Sequence, residues 1–501
     1  MASETTEMSR DRRLSRAYTI SAISVIAATT LFVLLVAGQG RGLYMTSGVW
    51  AGLAVDLADG MFYRPVHDAD GFGGTRYMPL FFALHAAFLS IVKHPAGAAH
   101  AVVFLSAAGL IAGLYRFLRA FDLSPRMAAA CSCTAMGALT IQYGLISTRG
   151  DMLAAALNVW GVSLCMGCLQ RDSRRMVFFA SVFFALAFMA KFTTVFGVAA
   201  VVLCFAMDGR WRHALSVGGL TAAFTLGMLC AVHVLSEGRA LDSFLACAAG
   251  GTSIVDLLLS PFKFLYSARV DVSFLMFFVC ACVALFNRPR WFADLPSLLF
   301  LCTLMVTVVI MSSPGTDLSH LIDLQVASVA IVAVQYSQGA RPRKLEWGIA
   351  IAGIVGAIAI ATTAIVLTII VDESRWAQQD RIMEIVGEGD SPMLADDPWV
   401  PILANERPFV LDTFAVRTVS EQRPEVAEDL FAKLEGRFFR AVVLYLPQHL
   451  RDDDEATNGT WRGKRWFGEL FYPPGFEDRL LSAYDPKAFI GEYIVLLPRS
   501  R

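Results

Sequence analysis

The sequence has 501 residues, 56% hydrophobic and only 17% charged, with a mean hydropathy of +0.55. A soluble domain carries roughly 25% charged residues, so the deficit excludes an ordinary soluble protein and points to membrane. The 42 Lys and Arg nearly cancel the 43 Asp and Glu, and a net charge of −1 singles out no class of partner; no nucleic acid is expected.

The hydrophobicity is uneven, with long apolar runs through residues 17–371 and an ordinary soluble composition over 372–501. A hydrocarbon core needs about 20 mainly apolar residues per helix. That rule gives about eleven expected spans: 17–38, 97–115, 127–146, 152–169, 176–190, 194–207, 214–235, 272–286, 295–312, 318–336 and 347–371. Nine of the 10 cysteines lie in these runs, the tenth is Cys247, and the tail has none, so no disulfide framework is expected. Cys165 and Cys168 have CxxC spacing but sit mid-span, where they read as packing residues.

Orientation follows from clustered Lys and Arg, which favour the cytoplasm. Arg10 to Arg16, Arg116 to Arg126, Arg171 to Arg175, Arg210 with Arg212, Arg288 with Arg290, and Arg341 to Lys344 share one side on this count. The turns at 149–151, Lys191 and 314–320 then face out, as do the longer segments 39–96 and 236–271 and the tail. The chain is thus expected to comprise a membrane module, 1–371, with those two outer loops, and an extracytoplasmic α/β domain, 372–501, with the N-terminus cytoplasmic.

In the first outer segment, residues 47–60 have helical periodicity, with Ser47 as N-cap and Gly60 as the stop. Val49, Trp50, Leu53 and Leu57 form an apolar stripe opposite Gly52, Asp56 and Asp59, the pattern of a helix lying flat at an interface. A Gly-rich loop with His67, Asp68, Asp70 and Arg76 follows. The apolar stretch Pro79–Val92 has 14 residues and contains His85; it reads as a surface or re-entrant helix, because counting it as a span would reverse everything downstream. A second amphipathic stretch, Ile254–Tyr266, carries Lys263. In the tail, Glu373–Val386, Pro424–Leu434 and Gly475–Tyr484 read as helices, and Pro408–Asp412, Arg440–Leu446 and Tyr493–Leu497 as strands, an order that suggests β-α-β units on a mixed sheet. Asn458-Gly-Thr460 matches a glycosylation tripeptide that is common by chance.

Several stretches taken together resemble one family. They are Ser47-Gly-Val-Trp with Asp56-Leu-Ala-Asp-Gly60, Tyr63-Arg-Pro, Thr75-Arg-Tyr-Met-Pro79, Ser147-Thr-Arg149-Gly-Asp151, Met189-Ala-Lys191-Phe-Thr193 and Asp317-Leu-Ser-His320-Leu-Ile-Asp323. They resemble bacterial GT-C glycosyltransferases, closest to the protein mannosyltransferase and aminoarabinose transferase branch, and the tail segments "PFVLDTF" and "RFFRAVVLYLP" resemble the outer domain of uncharacterised members. The resemblance implies an inverting transferase that moves a sugar from a polyprenyl-phosphate donor to an acceptor hydroxyl of a glycan, lipid or protein at the outer leaflet. An acidic residue of the first outer loop would act as base, and basic residues would hold the lipid phosphate. One departure stands out: where the family places Asp after the first span, this chain reads Tyr44-Met45-Thr46-Ser47.

Such a reaction needs a base within hydrogen-bond reach of the acceptor hydroxyl and positive charge at the departing phosphate. For the base, Asp56 ranks first, then Asp70 and Asp151. For the phosphate, Lys191 and Arg149 come first, because ionisable groups at membrane depth are expensive, followed by Arg76 and Lys263. Asp59, Asp68, Asp317 and His320 are expected to line the polar cavity. Each has a plainer alternative: Asp56 solvated on a helix face, Asp59 capping, Asp68 and Asp70 forming a turn, Arg149 and Asp151 pairing, Lys191 snorkelling. No cluster has metal-ligand spacing, so neither metal nor cofactor is expected. A flippase of lipid-linked saccharide and a non-catalytic assembly subunit are the rival readings. The former is disfavoured because no paired repeats are seen; the latter is favoured by the missing acid.

Overall fold

The structure is a computed structural model that describes residues 2–500 except 172, 249–252, 287–293, 314–315, 338–346, 371–372 and 447–470. Arg288, Arg290, Arg341, Arg343, Lys344 and Asn458 therefore lie outside the described residues, as does part of the 314–320 turn. The chain folds into two compact units, one of residues 1–38, 100–229 and 252–370, the other of 39–99, 230–251 and 371–501.

The first unit is helical. Each of the eleven apolar runs forms helix, but length separates them. Six helices are long and apolar enough to cross a membrane: Arg12–Ala37, Pro95–Arg119, Asp151–Cys168, Trp211–Leu235, Leu318–Gln335 and Gly348–Ile369. A seventh is obtained if Pro125–Gly137 and Leu139–Ile146, bent by 75° at their junction, count as one span. The remainder are shorter, against a core about 30 Å thick and a rise of about 1.5 Å per residue; the longest, Arg174–Ala190, has 17 residues and returns Lys191 to Asp151 at the start of Asp151–Arg171. Phe196–Met207 has 12 residues, Val272–Phe286 has 15 and Leu295–Ile310 has 16. By length and composition alone, six or seven helices among the described residues qualify as crossings, against the eleven expected. Large apolar side chains stay exposed on these helices, for example Leu215 at 72% and Met305 at 70%, as lipid-facing surfaces do. The chain is an integral membrane protein.

The bend at 137–139 has a local cause. The buried carboxylate of Asp271 accepts the amide of Thr140 at 2.7 Å and that of Phe274 at 2.9 Å, so one side chain caps both the second half of the broken helix and the start of Val272–Phe286. Gly356 lets the helix Gly348–Ile370 approach this break: a Cβ there would lie 1.8 Å from the Gly137 carbonyl oxygen.

The second unit is built on a four-stranded mixed sheet of order β1-β2-β4-β3, where β1 is Met393–Ala395, β2 Ala441–Tyr445, β3 Tyr484–Ile490 and β4 Tyr493–Pro498. The β1–β2 pair is parallel and the other two are antiparallel. Helices Thr413–Gln422, Pro424–Glu435 and Phe476–Ala483 cover it through a core that includes Val419, Leu430, Leu434, Leu480 and Val442. Among the described residues the expected strand Pro408–Asp412 makes only one isolated bridge, Val410 against Phe72, closed by the Phe72 amide on Phe409 O (2.8 Å) and the Leu411 amide on Phe72 O (2.9 Å). Gly71, at φ +136°, is required there, because any Cβ would sit 2.1 Å from Phe409 O.

The helix of the first outer segment runs Met45–Ala58. Ser47 is not its N-cap; it occupies the third helical position, where its Oγ accepts the Tyr44 amide (3.1 Å) and the indole N–H of Trp399 (2.8 Å). Both faces of this helix are covered. Trp50 packs on Tyr77 and Phe81, while the opposite face, with Gly48 and Gly52, meets Trp399 and Leu411 of the tail. The expected solvated polar face does not form, because the glycines on it allow the tail to approach. The stretch Pro79–Leu89 is an 11-residue helix, too short to cross, and its His85 ring is buried against the Pro95 carbonyl (2.9 Å).

Candidate active site

Three chain breaks in the first unit place charged side chains together. The turn Ser147–Gly150 joins helix Leu139–Ile146 to helix Asp151–Arg171, and its Thr148 has φ +32°, a strained value for a β-branched residue. The turn holds Arg149, and Asp151 opens the next helix, where a carboxylate suits the helix dipole. Lys191 ends helix Arg174–Ala190 in extended conformation. Asp317 caps the 3-10 turn Leu318–Leu321 by accepting the Ser319 amide at 3.0 Å.

These groups pair across the turns. Arg149 donates to Asp317 Oδ2 at 2.5 Å and to the Tyr143 hydroxyl at 3.2 Å, and its guanidinium lies 5.6 Å from the Tyr143 ring centre. Lys191 forms an ion pair with Asp151. His320 Nδ1 sits 3.3 Å from Asp317 Oδ1. Burial alone would raise the Asp317 carboxyl, but Arg149, assisted by His320, holds it well below the ordinary carboxylate range. The cluster is partly open: the side chain of Asp317 is 28% exposed, that of His320 19% and that of Lys191 16%. Two fixed cations, one imidazole and several carboxylates thus meet at the ends of apolar helices, where a phosphate could exchange for a carboxylate partner.

The structure therefore brings Arg149, Asp151, Lys191, Asp317 and His320 together. The other expected residues are placed elsewhere. Asp56 is 1% exposed in the second unit, with Oδ2 accepting Arg64 Nε at 2.6 Å and Oδ1 accepting Arg407 Nε at 2.8 Å. It is neither solvated nor open. Asp59, Asp68 and Asp70 are exposed, and the Asp70 amide donates to Asp68 Oδ1 at 2.9 Å in a local turn that the Asp68–Gly71 bridge closes. Arg76 stacks over Phe414 at 4.8 Å. Lys263 pairs with Asp256 of its own helix at 2.6 Å.

Two participants escaped the sequence reading. Tyr143 bridges Arg149 and Asp317, the latter at 3.4 Å, and carried no signal except its place six residues before the arginine. Asp323 lies one turn beyond His320 and within electrostatic reach of Lys191 and Asp151. Its signal was a carboxylate at the start of a span.

No family model matches the chain, and no curated protein does. Solved structures do match, at low identity. The apo Archaeoglobus fulgidus oligosaccharyltransferase has TM-score 0.55 and 11% identity over 85% of this chain and 69% of its own. The Archaeoglobus fulgidus AglB complex with an inhibitory peptide and a dolichol-phosphate has TM-score 0.54 and 11% identity over the same shares. ArnT from Cupriavidus metallidurans bound to undecaprenyl phosphate has TM-score 0.56 and 12% identity over 95% of this chain and 97% of its own. With helices long and apolar enough for membrane and a small C-terminal sheet, the chain has the fold of these oligosaccharyltransferase and ArnT structures.

Proposed function

We propose that this protein is an inverting glycosyltransferase that moves a sugar from a polyprenyl-phosphate donor to an acceptor hydroxyl on the outer face of the membrane. The observation that carries the reading is the joining of Arg149, Lys191, Asp151, Asp317 and His320 at helix ends. Arg149 and Lys191 hold the donor phosphate and stabilise it as it leaves, while Asp317 and Asp151 orient them before the donor arrives. That two structures of this fold hold dolichol-phosphate and undecaprenyl phosphate supports the donor class.

The full-length protein, in nanodiscs, would be incubated with a panel of undecaprenyl-phosphoryl monosaccharides, following both undecaprenyl phosphate release and its direct binding. Binding, with release from at least one donor, is the expected result. If undecaprenyl phosphate neither binds nor is released, the reading fails. One observation favours a second reading, a non-catalytic assembly subunit: every carboxylate of the first outer segment is either locked between arginines or exposed in turns. Binding without release from any donor would favour it.

A further inference from the structure

Between Leu321 and Gln335 every residue is buried except Asp323. Its neighbours Leu321, Ile322 and Leu324 are each 0% exposed, so over 321–335 this helix is embedded in the first unit and opens only at a carboxylate. An ionisable side chain there is expensive to keep unless something uses it.

We propose that Asp323 is the proton acceptor of the transfer reaction, replacing the acid missing after the first span; the inference rests on the glycosyltransferase reading above. A general base needs a lone pair that is free to receive the acceptor's proton. The other two carboxylates of the cluster are committed. Asp317 accepts Arg149, the Ser319 amide and the Ser319 hydroxyl, and faces His320. Asp151 is held by Lys191. Asp323 makes no hydrogen bond or ion pair with any described residue, yet Lys191 and Asp151 act on it electrostatically. It is therefore close to the cation assigned to the donor phosphate without being neutralised by direct contact.

The step balances. The acceptor O–H gives its proton to the Asp323 carboxylate, and its oxygen bonds to the anomeric carbon. The bond from that carbon to the phosphate oxygen breaks, and its electron pair leaves on undecaprenyl phosphate, beside Arg149 and Lys191.

A carboxylate in the first turn of a helix could instead serve only the helix dipole, which would touch stability and not rate. The test uses the full-length protein and an undecaprenyl-phosphoryl sugar that the natural sequence turns over. Asp323→Asn is expected to lower kcat for undecaprenyl phosphate release by about 10²–10⁴-fold, with affinity for undecaprenyl phosphate changed by less than about threefold. The fall in rate at acid pH, set by this carboxylate near Lys191 and Asp151, should also disappear. Asp323→Glu should keep a measurable rate with that acid limb displaced. If kcat and the acid limb of Asp323→Asn match those of the natural sequence, the inference is overturned while the function stands. If Asp323→Asn no longer binds undecaprenyl phosphate, Asp323→Glu decides, and an undisplaced acid limb overturns the inference. A natural sequence inactive on every donor overturns both.

Discussion

Arg64 is 5% exposed, and without Asp56 its guanidinium would be a buried cation left with only the Pro408 carbonyl, at 2.6 Å. Burial pulls that guanidinium below its ordinary value and Asp56 pulls it back. Removing one partner of such a pair costs about 3–5 kcal/mol. Asp56→Ala is thus expected to lower the thermal unfolding midpoint strongly, while the rate per folded molecule stays unchanged. A fully stable variant with lost transfer would return the base to Asp56. Lys191 and Arg149 predict the opposite split. A hydrogen bond to a charged group contributes about 1.5–3 kcal/mol, so Lys191→Ala should weaken undecaprenyl phosphate binding at least about tenfold. Arg149→Lys should also weaken it, because a lysine cannot reproduce the guanidinium fork shared between Asp317 and Tyr143. Unchanged affinity in both variants would withdraw the phosphate role.

At the scale of the element, the end of β1 stores a proton. Asp396 is 1% exposed, and both its oxygens accept the Tyr445 amide of the parallel neighbour β2, at 2.8 and 2.9 Å. Burial pushes its carboxyl up to about 8, and the adjacent Asp397 adds to this although the Tyr445 amide opposes it. An unfolded Asp releases its proton near pH 3.9. Between roughly pH 4 and pH 8 the folded form therefore binds a proton that the unfolded form has lost, so stability falls as pH rises through that window and levels off above it. Asp396→Asn should flatten the dependence of the unfolding midpoint on pH between those limits. An unaltered slope would assign it to other groups. Asp397 beside it has partners of its own, Arg375 at 3.0 Å and the Tyr493 hydroxyl at 2.6 Å, which tie the helix Arg375–Val386 to β4.

For the whole molecule the open quantity is sidedness, and span parity governs it. An odd number of crossings, whether seven or eleven, puts the chain ends on opposite sides, and six puts them on the same side. With the basic clusters cytoplasmic, a reporter active only outside the cytoplasm and fused after Pro498 should be active. Activity of a cytoplasmic reporter at that position would mean an even count, with the bent pair Pro125–Gly137 and Leu139–Ile146 as the first place to look.

Composition and periodicity by themselves determined that this chain enters a membrane, where its apolar helices lie and that its tail is a mixed α/β domain, because hydrophobic period is a local property written residue by residue. The turn motifs around Arg149, Asp151, Lys191, Asp317 and His320 were legible for a related reason: a charge at the end of an apolar run is conspicuous. What lies opposite a side chain is not local. Asp56 reads as a solvated acid until Gly48 and Gly52 admit the tail and Arg407, some 350 positions away, takes its oxygen. Pro408–Asp412 has strand propensity, but a strand needs a partner, and the fold gives it only Phe72. Asp323 reads as the first turn of a span, and only the packing that buries every other residue from 321 to 335 marks it as left open.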